Sequence, residues 1–212
     1  MTGKIKLVHS GGNAVSIAVP TSNPSSSEVE FKLPQADGSS GQALVTDSSG
    51  NLSFAGTGKI LQVLQTVKTD VSSTTSASFA AISGLSVNIT PSTASSKILI
   101  TVDVKIGNNS GAGAYIKLQR DSSDIYVGDA ASNRTQCMHS TYGGGDTGEG
   151  LYGMAKMGGT FLDSPNTTSQ VTYAVYWKRL NSATLYTNRG GSETATQYEG
   201  RGASSITVVE VA

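Results

Sequence analysis

Gln170-Val171-Thr172-Tyr173-Ala174-Val175-Tyr176-Trp177-Lys178 is the stretch on which the fold turns. Nine residues run without a glycine or proline, rich in the β-branched and aromatic types that favour strands. A period of two sends Tyr173, Val175 and Trp177 to one side and Tyr176 to the other, so one set faces a core. Ala183-Thr184-Leu185-Tyr186 follows and is expected to return as a hairpin through Asn181-Ser182. Ile206-Thr207-Val208-Val209-Glu210-Val211 closes the chain as another strand. Upstream, Lys97 to Ile106 is the most apolar strand, and Leu85-Ser86-Val87-Asn88-Ile89-Thr90 alternates and stops at Pro91. Ala114 to Arg120 is a strand, Asp121-Ser122-Ser123-Asp124 a tight turn, and Ile125-Tyr126-Val127 the return. Lys59 to Val67 is the first strand of this part, Met154 to Leu162 another, and the Ser/Thr run from Ser72 to Ser78 reads as a loop or irregular edge. No stretch sustains a helical period. Eight to ten strands at short spacing predict an antiparallel β-sandwich, of jelly-roll type, over residues 58–212. Apolar first and last strands suit a sandwich whose ends pair near each other.

A smaller unit precedes it. Lys4 to His9 and Ala14 to Val19 alternate on either side of Gly11-Gly12-Asn13, which predicts a hairpin. Glu28-Val29-Glu30-Phe31-Lys32-Leu33 predicts a third strand with Val29, Phe31 and Leu33 on one face. The stretch from Leu33 to Phe54 then holds two turn signals, Asp37-Gly38-Ser39-Ser40-Gly41 and Asp47-Ser48-Ser49-Gly50-Asn51, around the short strand Ala43-Leu44-Val45. Leu52-Ser53-Phe54 follows as its partner. About 55 residues with few large side chains are marginal alone. The unit is expected to complete its packing against copies of itself or a neighbour. Ala55-Gly56-Thr57-Gly58 marks the boundary between this small β unit, residues 1–57, and the β-sandwich of residues 58–212.

The composition excludes several functions. The chain has 15 basic and 15 acidic residues, and only 14% of residues are charged, against about a quarter in an average domain. A neutral chain offers no electrostatic case for nucleic acid or an anionic membrane surface. Cys137 is the single cysteine, which rules out an intrachain disulfide framework. No stretch approaches the roughly 18 apolar residues of a membrane-spanning helix. Met1 to Lys6 lacks the apolar core of a signal peptide, so synthesis in a cytoplasm without an export signal is expected.

The wording of the Leu33–Phe54 stretch resembles a short module of bacteriophage fibre and appendage proteins. Three further segments, Ile60 to Asp70, Ile82 to Pro91 and Ser95 to Ile100, resemble a phage-associated domain, many examples coming from marine phages. The closing Ile206-Thr207-Val208-Val209-Glu210-Val211 fits the same resemblance. It implies a homotrimer with a jelly-roll head resembling tumour necrosis factor, located in the virion. Residues 1–57 would join other virion proteins, and the head would meet a host-surface glycan or protein. The alternative it implies is a capsid decoration protein or head fibre that stabilises the shell. Residues 107–202 match no motif, and specificity is expected there.

No catalytic, cofactor or metal constellation is predicted. Asp121, Asp124, Asp129, Asp146, Glu149 and Asp163 are the carboxylates open to glycan hydrolysis, which needs a spaced pair. Asp121 and Asp124 sit in a turn, where aspartate routinely caps backbone groups. Cys137 and His139 stand two apart without a second ligand pair. Gly143-Gly144-Gly145-Asp146 and Arg189-Gly190-Gly191 precede no helix, so they read as flexible loop tips rather than phosphate cradles. The aromatic residues carry more weight. Tyr142, Tyr152 and Tyr198 flank polar glycine-rich loops and, with Arg189, form the candidate host- or partner-binding surface. The competing reading packs those rings on a trimer interface.

Overall fold

The computed structural model describes residues 4–18, 22, 29–39, 41–47, 49–56, 60–110, 113–141 and 151–212. The chain divides into two compact units, Met1–Gly58 and Lys59–Ala212. The described residues form an all-β protein with antiparallel sheets, and none lies in a helix that is long and apolar enough to cross a membrane.

In the first unit, β1 (Lys4–Val8) pairs with β2 (Ala14–Ala18), and β3 (Gln42–Thr46) pairs with β4 (Leu52–Gly56). Asp47 shapes the second hairpin's turn: its carboxylate accepts the Ser49 and Asn51 amides at 2.9 and 3.1 Å and the Asn51 side chain at 2.6 Å. Gly50 has φ 83°, and a Cβ there would sit 2.2 Å from the Glu30 carbonyl, so no other residue fits. The strand expected over 28–33 does not form. Residue 28 lies outside the described residues. Around Lys32 two backbone hydrogen bonds, Lys32 N to Gly50 O and Leu52 N to Lys32 O, tie this segment to the hairpin as an isolated bridge. An alternating segment needs a neighbouring strand to complete its ladder, and no described strand of the first unit pairs along it.

The second unit is built from β5 (Ile60–Lys68), β6 (Ser73–Thr74), β7 (Ala80–Ile89), β8 (Lys97–Asn108), β9 (Ala114–Arg120), β10 (Ser123–Ile125), β11 (His139–Thr141), β12 (Ala155–Asp163), β13 (Val171–Arg179), β14 (Leu185–Thr187) and β15 (Ser204–Val211). One sheet runs β5-β15-β8, with β12 on the far side of β8, and extends through β14 to β6. The other runs β7-β13-β9, with β10 and β11 both beside β9. The first long strand therefore pairs with the last, the second with the last but one, and so inward: β5 with β15, β7 with β13, β8 with β12, β9 with β10 and β11. That nesting is compatible with a jelly roll. Two details depart from the sequence reading. β14 does not return as a hairpin on β13; it crosses to the other sheet and pairs with β8 and β6. The turn after β9 is also tighter than expected. Asp121 takes φ 52° and the return begins at Ser123.

The core is the alternation made physical. Ile98, Ile100, Val102, Val104 and Ile106 of β8 face Tyr173, Val175 and Trp177 of β13, joined by Leu85, Ile116, Leu118, Met157, Ile206 and Val208. Each such side chain contributes roughly 1.5–3 kcal/mol on leaving water. Two carboxylates are buried here, and both are satisfied. Asp163, at the end of β12, receives Arg120 Nη1 at 2.9 and 2.8 Å and the Tyr173 hydroxyl at 2.6 Å, tying one sheet to the other. Glu210 of β15 accepts the Ser92 amide at 2.6 Å and Gln62 Nε2 at 2.6 Å. Burial pushes the Glu210 carboxyl up, but hydrogen bonds from Ser96, Gln62 and Ser92 outweigh it and hold it below its ordinary value.

The sandwich has two unlike outer faces. On the β7-β13-β9 sheet, Asn88 opposes Thr172, Ser86 opposes Ala174, and Lys117 opposes Tyr176. On the other sheet, Val63, Val209, Leu99 and Leu162 lie in register across four strands and all point outward. Val63 is 57% exposed and Leu162 52%.

Candidate functional site

Of the four residues predicted as a binding surface, the structure gathers three on one group of loops. Tyr142 lies outside the described residues, as do Gly143-Gly144-Gly145-Asp146 and Glu149. The segment from Asn188 to Ala203 leaves β14 and enters β15. Asn188 is its foundation. It is fully buried, takes φ 61°, and gives its side-chain amide to the carbonyls of Lys68 and Asp70 at 2.8 and 2.9 Å. Its carbonyl oxygen accepts the Ser204 hydroxyl at 2.6 Å. Asparagine is among the few side chains that enter the left-handed region at low cost, and here its amide and carbonyl groups are all used. One residue thus fixes the β5–β6 turn to the start of the loop.

Arg189-Gly190-Gly191 is not a flexible tip. A Cβ on Gly190 would meet the Leu151 and Tyr152 carbonyls at 2.5 and 2.6 Å, and one on Gly191 would meet the Asn108 carbonyl at 1.9 Å. The glycines are there so that three backbone segments can approach one another. Ser192 N then donates to Leu151 O at 2.9 Å. This contact brings Tyr152 beside the loop, where its ring meets that of Tyr198 with centroids 6.2 Å apart and planes inclined by 51°. Tyr198 is 69% exposed.

Arg189 itself lines a cleft of about 470 Å³ with Asp70, Ser72, Tyr186, Glu193 and Arg201. Its guanidinium lies 3.6 Å from the centroid of the Tyr186 ring, a cation–π arrangement. Nη1 donates to the carbonyls of Gly190 and Ser192 at 3.1 and 3.3 Å, and Nη2 stands 3.5 Å from a Glu193 carboxylate oxygen. Arg201 pairs with the other oxygen of the same carboxylate. The Arg201 hydrogen bond, then the charges of Arg189 and Arg201, hold the Glu193 carboxyl below its usual range. Arg189 Nε is buried and has no hydrogen-bond partner among the described residues. Lys68, almost wholly buried, reaches Asp70 at 2.8 Å, and that hydrogen bond lowers the Asp70 carboxyl.

On the loop's other side, Glu199 acts as a clamp. Its carboxylate accepts the Thr194 amide at 2.6 Å, the Thr194 hydroxyl at 2.9 Å and the Ala195 amide at 2.8 Å. Those bonds, the Thr194 amide first, bring its carboxyl down to about 2. They also hold Ala195 at φ 59°, a conformation that costs an alanine roughly 1–2 kcal/mol.

The other candidates fall elsewhere. Asp121 accepts the Thr172 amide at 2.9 Å, and Asp124 binds Lys117 and Gln119. Asp163 is the buried ion-pair partner of Arg120. Burial raises the Cys137 thiol, and His139 Nδ1 faces the backbone of Gly158. Among the described residues no group of three His, Cys, Asp or Glu side chains could hold a metal ion. Sequence reading passed over Tyr186, Glu193, Arg201, Asp70 and Ser72. Their only signal is two arginines with two glutamates between them in an otherwise weakly charged chain, and Asp70 comes from a turn more than a hundred residues away. The sequence matches no protein-family model and no curated protein.

Proposed function

We propose that this chain is a bacteriophage virion structural protein, a non-enzymatic, homotrimeric appendage component. In this reading residues 1–57 join it to other virion proteins, and the head presents the Arg189 cleft and the Tyr152–Tyr198 pair to a host surface. The reading draws on the phage-module wording of Leu33–Phe54. The observation that carries it is apolar surface that one copy leaves wet. Among residues 4–56 no described side chain is buried, and Ile5, Leu7, Ile17, Phe31, Leu33 and Leu44 are each at least 50% exposed. An isolated two-stranded hairpin is marginal in water, so such a unit holds its shape in an assembly. The head adds the in-register row Val63, Val209, Leu99 and Leu162 on one outer face only. Covering its exposed halves contributes roughly 1 kcal/mol per side chain. The formal net charge of +0 sets no repulsion between copies. Adhesion then needs only weak sites, because three linked heads bind with raised effective concentration.

Light scattering on the full chain tests this reading. Three chains per particle is the expected result, and a monomer at every concentration refutes it. Incubation with host polysaccharide tests the non-enzymatic part: release of oligosaccharides, abolished by one Asp or Glu substitution, would overturn it.

A further inference from the structure

The geometry points to the Arg189–Arg201 cleft as a site for an acidic saccharide, whose carboxylate takes the place now held by the Glu193 side chain. This rests on the adhesion reading above and names its ligand class.

Four observations converge. First, the cleft already holds a carboxylate. Glu193 sits between two guanidinium groups, 3.5 Å from Arg189 Nη2 and paired with Arg201. Arginine pairs suit carboxylates because planar N–H donors match two oxygens. Second, that carboxylate is removable. Glu193 is exposed, its side chain is 53% accessible, and it belongs to a loop segment with no strand ladder. Third, Arg189 is built in rather than dangling. Its side chain is only 12% exposed, the Tyr186 ring backs it, and two carbonyls orient Nη1. Fourth, Thr69, Ser72 and Ser73 also line the cleft, with the Asp70 carboxylate that pairs with Lys68, and hydroxyl and carboxylate groups bond sugar hydroxyls directly. A volume of about 470 Å³ lies in the range of small-molecule sites.

A neutral sugar fits this cleft less well. Sugars without charge bind chiefly by stacking on open aromatic faces, and Arg189 covers the Tyr186 ring here. Two arginines on one exposed glutamate leave a positive site once that glutamate swings aside. A ligand carboxylate restores the pairing and adds hydroxyls that Glu193 lacks. Glu193 is then a competitor built into the chain, and removing its charge strengthens binding.

The test uses the full-length protein and uronate trimers: galacturonate, mannuronate and guluronate. Each is run beside its methyl ester, which keeps the ring and masks the charge. Titration followed by ligand NMR should show saturable binding of at least one trimer, with a dissociation constant of about 1 mM, and none of its ester. Arg201→Ala, at a side chain 57% exposed and so safe for folding, should weaken binding about tenfold. Arg189→Ala should do the same or more. Glu193→Gln should tighten it severalfold. Failure of all three trimers to bind up to roughly 20 mM, equal binding of acid and ester, or unchanged affinity in Glu193→Gln overturns the proposal. Native mass of the same samples separates the two readings. A trimer that binds no uronate sinks the ligand class alone, and a monomer sinks the assembly.

Discussion

Tyr173→Phe deletes one oxygen from the interior and nothing else. The ring stays in the core, fully buried. What goes is a hydroxyl that donates at 2.6 Å to Oδ2 of Asp163, on the strand of the opposite sheet that ends there. Asp163 keeps Arg120 Nη1 on both oxygens, so the carboxylate is weakened, not abandoned. A hydrogen bond to a charged group contributes about 1.5–3 kcal/mol. For a unit of this size each kcal/mol moves the melting midpoint by about 2–4 °C, so a fall of about 3–12 °C is expected. Asp163→Ala is harsher. It strips Arg120 and Tyr173 of their shared acceptor, at a cost of about 3–5 kcal/mol. The two substitutions act on one interaction, so the double variant should be little worse than Asp163→Ala alone. Urea unfolding read by the fluorescence of Trp177, the single tryptophan and a core residue of the same β13, measures all three. A loss under about 0.5 kcal/mol for Tyr173→Phe, or strict additivity in the double variant, would falsify the cross-sheet role. The same geometry sets a pH signature. Burial first, and the bond to Asp163 second, raise the Tyr173 hydroxyl above its ordinary value near 10. Its contribution is therefore whole below pH 10 and is lost as pH climbs beyond it.

Glu199 gives the acid counterpart. Its carboxyl is down at about 2 in the folded loop against an ordinary 4.5, so its clamp holds above pH 4.5 and loosens as pH falls towards 2. The protection of the Thr194 and Ala195 amides, taken relative to intrinsic exchange at each pH, should fall over that window while β13 stays protected. Gly191→Ala drives a Cβ to 1.9 Å from the Asn108 carbonyl; overpacking of this kind costs about 1–3 kcal/mol, and uronate binding should fall with it. Asn188→Ala leaves the carbonyls of Lys68 and Asp70 without their buried donor and should lower stability by about 1–3 kcal/mol, read by the same urea unfolding. Val63→Glu with Leu162→Glu puts two charges into the outward apolar row; the head should stay folded by circular dichroism while the native mass of the full chain drops.

The strands were legible because this chain alternates cleanly. Tyr173, Val175 and Trp177 fall on the buried side of β13 as their spacing requires, and the first and last strands of the head pair. Local pattern failed where a partner decides the outcome. Leu185 and Tyr186 look like the return arm of a hairpin, yet β14 leaves for the other sheet, where β8 extends past the end of β15 and leaves its last residues free to pair. The segment around Phe31 alternates as well as any strand in the head and forms none. At the site, Arg189 and the two tyrosines could be picked out because they stand beside glycine-rich loops. Glu193 and Arg201 could not, since a charged pair eight residues apart in a loop has no periodicity to betray it. Gly190 and Gly191 were misleading for a related reason: sequence shows a missing Cβ but not whether the space is open or filled by another backbone.

That last ambiguity bears on the whole first unit. Alternation in β1 and β2 says that one face is apolar; Ile5 opposes Ile17 and Leu7 opposes Val15. It does not say what covers that face. In the head the covering is internal, because a sheet of four long strands faces one of three long strands with β10 and β11 at its edge, and the two can enclose a core. A pair of two-stranded ribbons cannot do this, however regular its pattern. The apolar residues of residues 4–56 are therefore better explained by a surface outside the unit than by a core inside it. The head repeats the same logic on a smaller scale, with one outer face polar and the other carrying Val63, Val209, Leu99 and Leu162. Unlike faces on one sandwich are hard to explain in a free monomer, where both meet the same water. They follow at once if one face meets another copy. On that view the polar loops around Arg189 are what the assembly leaves open, and binding is expected where the apolar surface ends.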